Sequence, residues 1–439
     1  MKRHVSSLLV IAIFGCLLAA CGSTNTGGAA TAPAGGGAAT AAPAGGAATA
    51  APTGGSGDVI RIVSSLPRQG ASKGQTDAVV NGIKMRLEED NNQACGGQFK
   101  IDYQDKDDAT AAAGKWDPAT ETANANAAVS DPDVMVYIGT FNSGAAQLSI
   151  PILNQANLVM ISPANTAVGL TQANPGDPGS PDKYYPAGKR NYTRVVTADQ
   201  VQGKAAAAWA AKLGAKRVYV LDDQETYGKG VAEFFAAGAK ELGLEVLGRD
   251  GIDGKAQNYT SLMTKIASLN PDLVYFGGIV DNNAGQLLKD LRAAGMTPDK
   301  VKFMGPDGIQ TDSFITAAGA DIAEGSYATI AGLPNDRLGE KGKNFYSNYE
   351  KKFGMKAESY GIYGYEAANV ALAAINSACT KDREAIRAAV FATKDFDGVL
   401  GKWSFDANGD TTLTDIQGYE VKDGKWTSVN LYSNGAWEN

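Results

Sequence analysis

Histidine is almost absent from this sequence, since the only one among 439 residues is His4. That residue lies in a basic and apolar leader, so the rest of the chain has no imidazole. Ser-His and Cys-His nucleophile pairs and the commonest zinc ligands are therefore excluded. There is also no GxxxxGK[ST] nucleotide loop, and Ser143 lacks the GxSxG frame of a hydrolase. These absences remove the commonest hydrolase and zinc chemistries and leave only an unusual Ser-Lys arrangement to activate Ser143, so we expect that the protein is not an enzyme and uses no cofactor.

The amino terminus has the features of an export signal. The first three residues, MKR, are basic, residues 8–18 are apolar, and residues 18–21 read LAAC. The apolar run is shorter than the about 20 residues of a membrane span, although an ordinary signal or an anchor helix is an alternative. The pattern resembles a bacterial lipobox, so residues 1–20 are predicted to be a lipoprotein signal peptide and Cys21 to carry lipid. We therefore expect an exported protein, held by lipid on the outer face of the cytoplasmic membrane.

The segment after Cys21 cannot form a core. Residues 22–57 contain Gly, Ala, Thr, Pro and Ser and a single Asn, so they have little apolar surface to bury. Residues 21–57 are therefore predicted to be a disordered tether, with a root-mean-square reach of roughly 30–35 Å.

From Asp58 onward the chain has the pattern of an α/β protein. Short apolar strands alternate with helices, which predicts parallel sheets, and two runs of such units indicate two Rossmann-like lobes. This part of the chain is also longer than a single core usually accommodates. The formal net charge of −7 argues against a nucleic-acid partner or an anionic membrane surface.

Two of the predicted strands end in small polar residues. Residues 134–138 (VMVYI) precede GTFNSG, which contains Ser143, and residues 158–161 (LVMI) precede SPANT, which contains Ala164 and Thr166. Open α/β sheets bind ligands at the edge where the strands end, so this stretch predicts a ligand site. The alternative is that Ser143 only caps the following helix and Thr166 only shapes a turn.

Two other motifs have structural explanations. Asp199 and Gln202 are spaced as in a capping box, which predicts that Asp199 caps a helix. The segment from Asp406 to Asp410 (DANGD) begins like a calcium loop, but its glycine is misplaced and no Glu follows at the twelfth position. A hairpin turn is favoured there, and no metal site is predicted.

Five segments together resemble the leucine/isoleucine/valine-binding proteins of ABC importers. In chain order they are YIGTFNSGAA, LVMISPANT, DDQETYGKG, LVYFGG and FMGPDG, and the resemblance runs from about Asp58 to the carboxyl terminus. It implies a type I periplasmic-binding-protein fold, with two α/β lobes joined by three crossovers near residues 195, 330 and 410. Lobe 1 would comprise residues 58–195 and 331–410, and lobe 2 residues 196–330 and 411–439.

The resemblance also implies a set of ligand-binding residues. Ser143 stands where the family has a serine that holds the ligand carboxylate, Ala164 would offer its carbonyl, and Thr166 its hydroxyl. Asp307 stands where the family has an acid that pairs with the ligand ammonium, although it could instead only organise the GPDG turn. Tyr227 matches a tyrosine that faces the cleft.

This sequence departs from the family at two positions near the ligand side chain. Lys73 lies in a loop where the leucine-binding proteins have an aromatic residue, and Ile279 stands where they have a tyrosine. Lys73 could contact an acidic or polar group of the ligand, or it could be a solvated loop lysine. The side-chain specificity of the family therefore cannot be transferred.

The four cysteines are assigned with the help of the resemblance. Cys16 lies in the predicted signal and Cys21 would carry lipid, which leaves Cys95 and Cys379, both in lobe 1. In an exported protein such a pair predicts a disulfide, and two separately buried thiols are the alternative.

The function implied is that of a monomeric lipoprotein that binds an amino acid or a related small zwitterion. It would deliver this ligand to the permease and ATPase subunits of an ABC importer. A different class of function on the same fold is a ligand sensor that signals lobe closure to a membrane receptor.

Overall fold

The computed structural model describes residues 58–438, so the predicted signal peptide and tether lie outside the described residues. The first lobe is built on a six-stranded sheet with the strand order β2-β3-β1-β6-β7-β8. Apart from β2, its strands run parallel. The first eight strands are β1 (Asp58–Leu66), β2 (Gln93–Ala94), β3 (Phe99–Asp107), β4 (Ala109–Thr110), β5 (Lys115–Trp116), β6 (Val134–Gly139), β7 (Val159–Ser162) and β8 (Tyr192–Arg194).

The second lobe is built on an eight-stranded sheet with the order β10-β9-β11-β12-β13-β16-β17-β18. Its first five strands are parallel, as predicted, and β16 to β18 join them antiparallel at one edge. The remaining strands are β9 (Arg217–Asp222), β10 (Glu245–Gly251), β11 (Leu273–Gly277), β12 (Lys302–Gly305), β13 (Ser326–Ala331), β14 (Phe396–Gly398), β15 (Gly401–Trp403), β16 (Ile416–Lys422), β17 (Lys425–Ser433) and β18 (Ala436–Trp437).

Helices cover the sheets, as continuous apolar strands require. The helices are α1 (Lys73–Glu89), α2 (Pro118–Ser130), α3 (Ser143–Gln155), α4 (Asp199–Lys212), α5 (Thr226–Glu241), α6 (Thr260–Ser268), α7 (Ala284–Ala293), α8 (Asp312–Ala318), α9 (Ala320–Ala323), α10 (Glu340–Phe353), α11 (Gly361–Ala378) and α12 (Arg383–Phe391). None of those in residues 58–438 combines the length and apolar character that a membrane crossing requires.

Helices α1 and α11 pack closely on the first sheet. A Cβ added to Gly82 would lie 2.2 Å from the carbonyl oxygen of Gly361, and one added to Gly364 would lie 2.3 Å from that of Val79. Glycine at these two positions therefore allows the helix backbones to approach each other. The same packing brings Cys95, just after α1, to Cys379 at the end of α11, with Cα atoms 5.7 Å apart.

Three crossovers connect the lobes, after β8, after β13 and before β16. The first and third lie side by side, because the Arg194 amide donates to the Gly409 carbonyl at 3.0 Å. In addition, Nε of the fully buried Arg194 lies 2.6 Å from Oδ1 of Asp410. The hydroxyl of Thr197 donates to the Leu413 carbonyl at 2.9 Å. These contacts join the first and third crossovers, which are more than 200 residues apart in the chain.

The capping prediction for α4 is wrong. The residue before the helix is Ala198, and Asp199 is the first helical residue and caps nothing. Gln202 does not reach back to the helix start either, because its Nε2 donates to Oδ1 of Asp307 at 2.6 Å. Both side chains turn toward the space between the lobes. A local sequence pattern does not predict such contacts with residues far away in the chain.

The DANGD segment forms a turn. Oδ1 of Asp406 accepts hydrogen bonds from the amides of Asn408, at 2.8 Å, and Asp410, at 2.9 Å. Since the Asp410 carboxylate is already held by Arg194, this loop does not present a set of free metal ligands. Within residues 58–438 no three His, Cys, Asp or Glu side chains are grouped so that they could hold a metal ion.

Candidate functional site

The predicted site residues follow the ends of strands in both sheets. Ser143 begins α3 just after β6, and Ala164 and Thr166 follow β7. In the second lobe Tyr227 follows β9, and Asp307 follows β12. Because parallel strands end at one edge of their sheet, the residues within each lobe share an edge, and the two edges face each other.

A small cavity lies between these edges. It brings together five of the predicted residues, and four further residues complete its lining. The predicted ones are Ser143, Ala164, Tyr227, Ile279 and Asp307, and the additional ones are Phe141, Asn142, Gly308 and Tyr360.

On the first lobe the site offers hydroxyl groups. Oγ of Ser143 accepts a hydrogen bond from the Ala167 amide at 3.3 Å, so its own O–H remains available to donate. Thr166 does not line the cavity directly, but its hydroxyl is buried and has no hydrogen-bond partner. The loop itself is fixed, because the Asn165 amide group donates to the Phe141 carbonyl at 3.0 Å.

On the second lobe Asp307 is the centre of a hydrogen-bond network. Oδ1 accepts from Nε2 of Gln202 at 2.6 Å and from the hydroxyl of Tyr227 at 2.8 Å. Oδ2 accepts from the hydroxyl of Tyr360. Burial raises the pKa of Asp307, and these three donors act against that rise. Tyr360 precedes α11, which packs on the first sheet, so its bond to Asp307 crosses the cleft.

Asp199 is a second buried acid close to the site, and the sequence analysis assigned it only a capping role. It is fully buried, and neither carboxylate oxygen has a hydrogen-bond partner. Burial raises its pKa to about 8, the negative charge of Asp307 adds to the rise, and the positive charge of Arg194 acts against it. Its amide donates to the Thr166 carbonyl at 2.9 Å, which places it beside the first-lobe loop. An unpartnered buried carboxyl group is suited to receive a cation.

The structure does not bring Lys73 to the cavity. Its side chain is 54% exposed at the start of α1 and forms an ion pair with Asp77, one turn further along the helix. Ile279, by contrast, is buried and lines the cavity with an apolar surface where the family has a tyrosine.

The sequence analysis missed six residues in or close to the cavity and its network as ligand-site residues, namely Phe141, Asn142, Asp199, Gln202, Gly308 and Tyr360. Phe141 and Asn142 adjoin Ser143 in the GTFNSG segment, so their position after β6 was a usable signal. Tyr360 follows no strand and reaches the site only because α11 packs against the first sheet. The sequence contained no local signal for it.

A separate group of contacts closes one end of the cleft. Oδ1 of Asp281, after β11, accepts from the Ala71 amide at 2.6 Å, and Oδ2 accepts from the hydroxyl of Ser72. Nearby, Lys115 of the first lobe contacts Glu225 and donates to Oδ1 of Asn282 at 2.8 Å. We call this group, Asp281 with Ala71 and Ser72 and Lys115 with Glu225 and Asn282, the latch. No latch residue lines the cavity.

This arrangement, two α/β lobes with facing polar edges and a cavity between them, defines a two-lobed solute-binding protein. The chain belongs to the periplasmic binding protein family, whose model matches residues 59–425. The family binds solutes and is not a family of enzymes, and it implies a location outside the cytoplasm. The predicted family resemblance and the type I fold are thereby confirmed.

Known proteins with similar chains are named for amino acids. The chain is 27% identical over 375 residues to the leucine-, isoleucine-, valine-, threonine-, and alanine-binding protein of Pseudomonas aeruginosa, covering 85% of this chain and 92% of that one. A leucine binding protein of Thermotoga maritima has a similar crystal structure, with a TM-score of 0.75 and 26% identity, over 85% of this chain and 99% of the other.

The same fold also occurs with a different ligand. A solute binding protein of R. palustris in complex with benzoate has a TM-score of 0.70 and 21% identity, over 86% of this chain and 99% of that chain. Benzoate has a carboxylate but no ammonium group. The fold alone therefore does not determine which ligand is bound, and the ligand depends on the side chains of the site.

Proposed function

We propose that this protein is the solute-binding lipoprotein of an ABC importer and that its ligand is an amino acid or a related small zwitterion. The observation that carries the proposal is the pairing of charge types across the cavity. Hydroxyl donors lie on the first lobe, the buried carboxyl group of Asp307 lies across the cavity from them, and a second buried carboxyl group, that of Asp199, lies close by. A ligand with a carboxylate alone would leave these acids without a cation.

The first-lobe residues suit the carboxylate of the ligand. Ser143 and Thr166 both have hydroxyls that can donate, since one accepts only from a backbone amide and the other has no partner. Ala164 would offer its carbonyl to the ammonium group. A buried zwitterion needs both charges paired or hydrogen-bonded, and charge-assisted hydrogen bonds of this kind are the strong ones.

The second-lobe residues suit the ammonium group. Asp307 would pair with it, while Tyr227 and Gln202 hold the carboxylate in place. Asp199 supplies a second acid close by. Ile279 would contact the ligand side chain. The exposure of Lys73 and its pairing with Asp77 support the solvated lysine rather than a ligand contact.

The remaining parts of the proposal concern the whole protein. Lipid on Cys21 would hold the protein at the outer face of the cytoplasmic membrane, and residues 21–57 would serve as the tether. The folded chain would act as a monomer that passes its ligand to the permease and ATPase subunits. We propose the lobe boundaries given above, at residues 195, 330 and 410. Relatives named for leucine and other amino acids support an amino-acid ligand.

A ligand screen tests the proposal. We expect at least one of the twenty amino acids to raise the unfolding temperature of the purified protein and to bind in calorimetry. Removing the ammonium group, as in the corresponding 2-hydroxy acid, is expected to abolish this binding, because Asp199 and Asp307 would then lack a cation. Benzoate, which also has no ammonium group, is a second control ligand. Binding of benzoate in preference to every amino acid would contradict the proposal.

A further inference from the structure

The cavity contains one polar side chain that the zwitterion does not account for. Asn142 precedes α3 at the position where short polar side chains usually accept a hydrogen bond from the first helical turn. Its side chain caps nothing, and its Oδ1 is buried with no hydrogen-bond partner. The backbone around it is fixed, because its carbonyl accepts from the Thr140 hydroxyl at 2.7 Å.

A buried amide oxygen without a partner is unfavourable, so its persistence in a binding cavity needs an explanation. Helix capping does not explain it, since the amides of Ala145 and Ala146 are already bonded to the Asn142 backbone carbonyl at 3.1 and 3.2 Å. A hydrogen-bond donor on a bound ligand would satisfy the amide.

The other groups around the cavity leave this role to Asn142. Phe141 and Ile279 are apolar, and the hydroxyls of Tyr227 and Tyr360 are already bonded to Asp307. Among the described lining residues, Asn142 is thus the polar side chain beyond those that we assign to the carboxylate and ammonium groups.

The cavity also limits the size and charge of the ligand side chain. The rings of Phe141 and Tyr360 meet edge to face with centroids 5.3 Å apart, and Ile279 bounds the cavity from the other lobe. Asp307 is the charged side chain of the described lining, and its role is taken by the ammonium group. A long or charged ligand side chain therefore has neither the space nor the partner that it needs.

From these observations we infer that the ligand is an amino acid with a short, uncharged side chain that carries a hydrogen-bonding group, and that Asn142 determines this specificity. Threonine is the model compound for this class. The inference rests on the proposed function, because it assumes that Ser143, Asp199 and Asp307 hold the zwitterion.

Threonine and valine provide the test, because they have nearly the same shape and differ in one hydroxyl group. A site built to hydrogen-bond a ligand group rejects the analogue that lacks it much more strongly than an apolar pocket would. We expect the full protein to bind threonine at least about tenfold more tightly than valine in calorimetry. Valine binding as tight as threonine binding, or tighter, would overturn the inference.

Asn142→Leu tests the residue itself. The variant keeps the size of the side chain and removes its amide, so the affinity ratio of threonine to valine is expected to fall to about one. Asn344→Leu, an exposed position in α10, is the matched control and is expected to keep the native ratio. A loss of affinity that is equal for both amino acids would assign Asn142 to the carboxylate and overturn the inference.

The two proposals fail in different ways. If none of the twenty amino acids binds, the proposed function fails and this inference fails with it. If leucine or valine binds and threonine does not, the proposed function stands and only the role of Asn142 is lost. The comparison of ligands on the native protein decides this even if Asn142→Leu does not fold.

Discussion

At the scale of single residues, the buried carboxyl group of Asp307 lines the cavity, and that of Asp199 is buried close to it. Burial disfavours the charged form of both, and the negative charge of Asp307 raises the pKa of Asp199 further. Asp307 is compensated by three hydrogen-bond donors, whereas Asp199 has none. The two acids should therefore respond differently to a bound ammonium group.

Asp307 is expected to contribute strongly to affinity. Removing one partner of a desolvated, hydrogen-bonded charge pair costs about 2–5 kcal/mol, so Asp307→Ala should weaken binding by roughly thirtyfold or more. Calorimetry measures the loss, and Asp312→Ala, an exposed acid in α8, is the control. Near-native affinity in Asp307→Ala, with the fold intact by circular dichroism, would leave Asp307 only the role of organising its turn.

Asp199 is expected to make ligand binding dependent on pH. With a pKa of about 8 it is mostly protonated at pH 7 in the free protein, and a nearby ammonium group would lower that pKa. Binding at pH 7 should then release up to one proton, and the release should disappear above about pH 9. Calorimetry in phosphate and in Tris detects the release, because the two buffers differ in ionisation enthalpy. Equal binding enthalpies in both buffers would contradict the prediction.

The same group affects stability without ligand. Because the folded pKa of Asp199 lies above its unfolded value of about 3.9, the unfolded chain gives up this proton first as the pH rises. Its contribution to stability is therefore full below about pH 4 and is lost as the pH rises to about 8. Asp199→Asn, which cannot titrate, should reduce this slope in thermal unfolding, and an unchanged slope would assign the pH dependence to other groups.

At the scale of elements, much of the structure follows from local sequence. The runs VMVYI and LVMI are strands, as predicted. This prediction succeeds because the apolar pattern of a buried strand is local. Because ligand sites tend to follow strand ends, the positions of Ser143 and Ala164 could also be predicted from sequence, whereas Asp307 was implied by the family resemblance.

Sequence prediction failed for residues and strands whose roles depend on contacts with distant parts of the chain. Asp199 and Gln202 have the spacing of a capping box, yet Gln202 bonds to Asp307, which is 105 positions away. Tyr360 reaches the cavity through the packing of α11 on the first sheet. The antiparallel strands β16 to β18 continue a parallel sheet, which their own sequences do not specify. Pairwise tertiary contacts of this kind are invisible to local patterns.

The packing of α1 against α11 leads to a prediction about the cysteines. The Cα atoms of Cys95 and Cys379 are 5.7 Å apart, within the usual range for a disulfide. We expect a non-reduced peptide digest of the exported protein to contain Cys95 and Cys379 in one linked product, seen by mass spectrometry. Closing a loop of 284 residues should stabilise the fold by roughly 5 kcal/mol in the chain-entropy model. Recovery of both peptides as free thiols would show that the bond is absent.

At the scale of the whole molecule, the latch should influence affinity without contacting the ligand. Asp281 accepts hydrogen bonds from Ala71 and Ser72 only when the lobes meet, so it stabilises the closed form. A ligand that needs the closed form then binds more tightly. Asp281→Ala is expected to weaken every ligand by the same factor, roughly tenfold, and to raise the radius of gyration in small-angle scattering.

The control for the latch is Asp336→Ala, which removes an exposed acid away from the cleft. We expect this variant to keep the native affinities and the native radius of gyration. If Asp281→Ala changed the order of preference among ligands, Asp281 would contact the ligand itself, and its assignment to the latch would be wrong.

The bond between the first and third crossovers also constrains how the lobes can move. Arg194 and Asp410 are paired at 2.6 Å, and two further hydrogen bonds join the same segments, so the two crossovers should move together as one paired connection. Two paired segments bend most easily out of their common plane and resist twisting. The lobes should therefore swing along a single arc, on which the same side chains meet at every closure. A ligand that is too large should stop lobe closure early, because the lobes cannot twist to accommodate it.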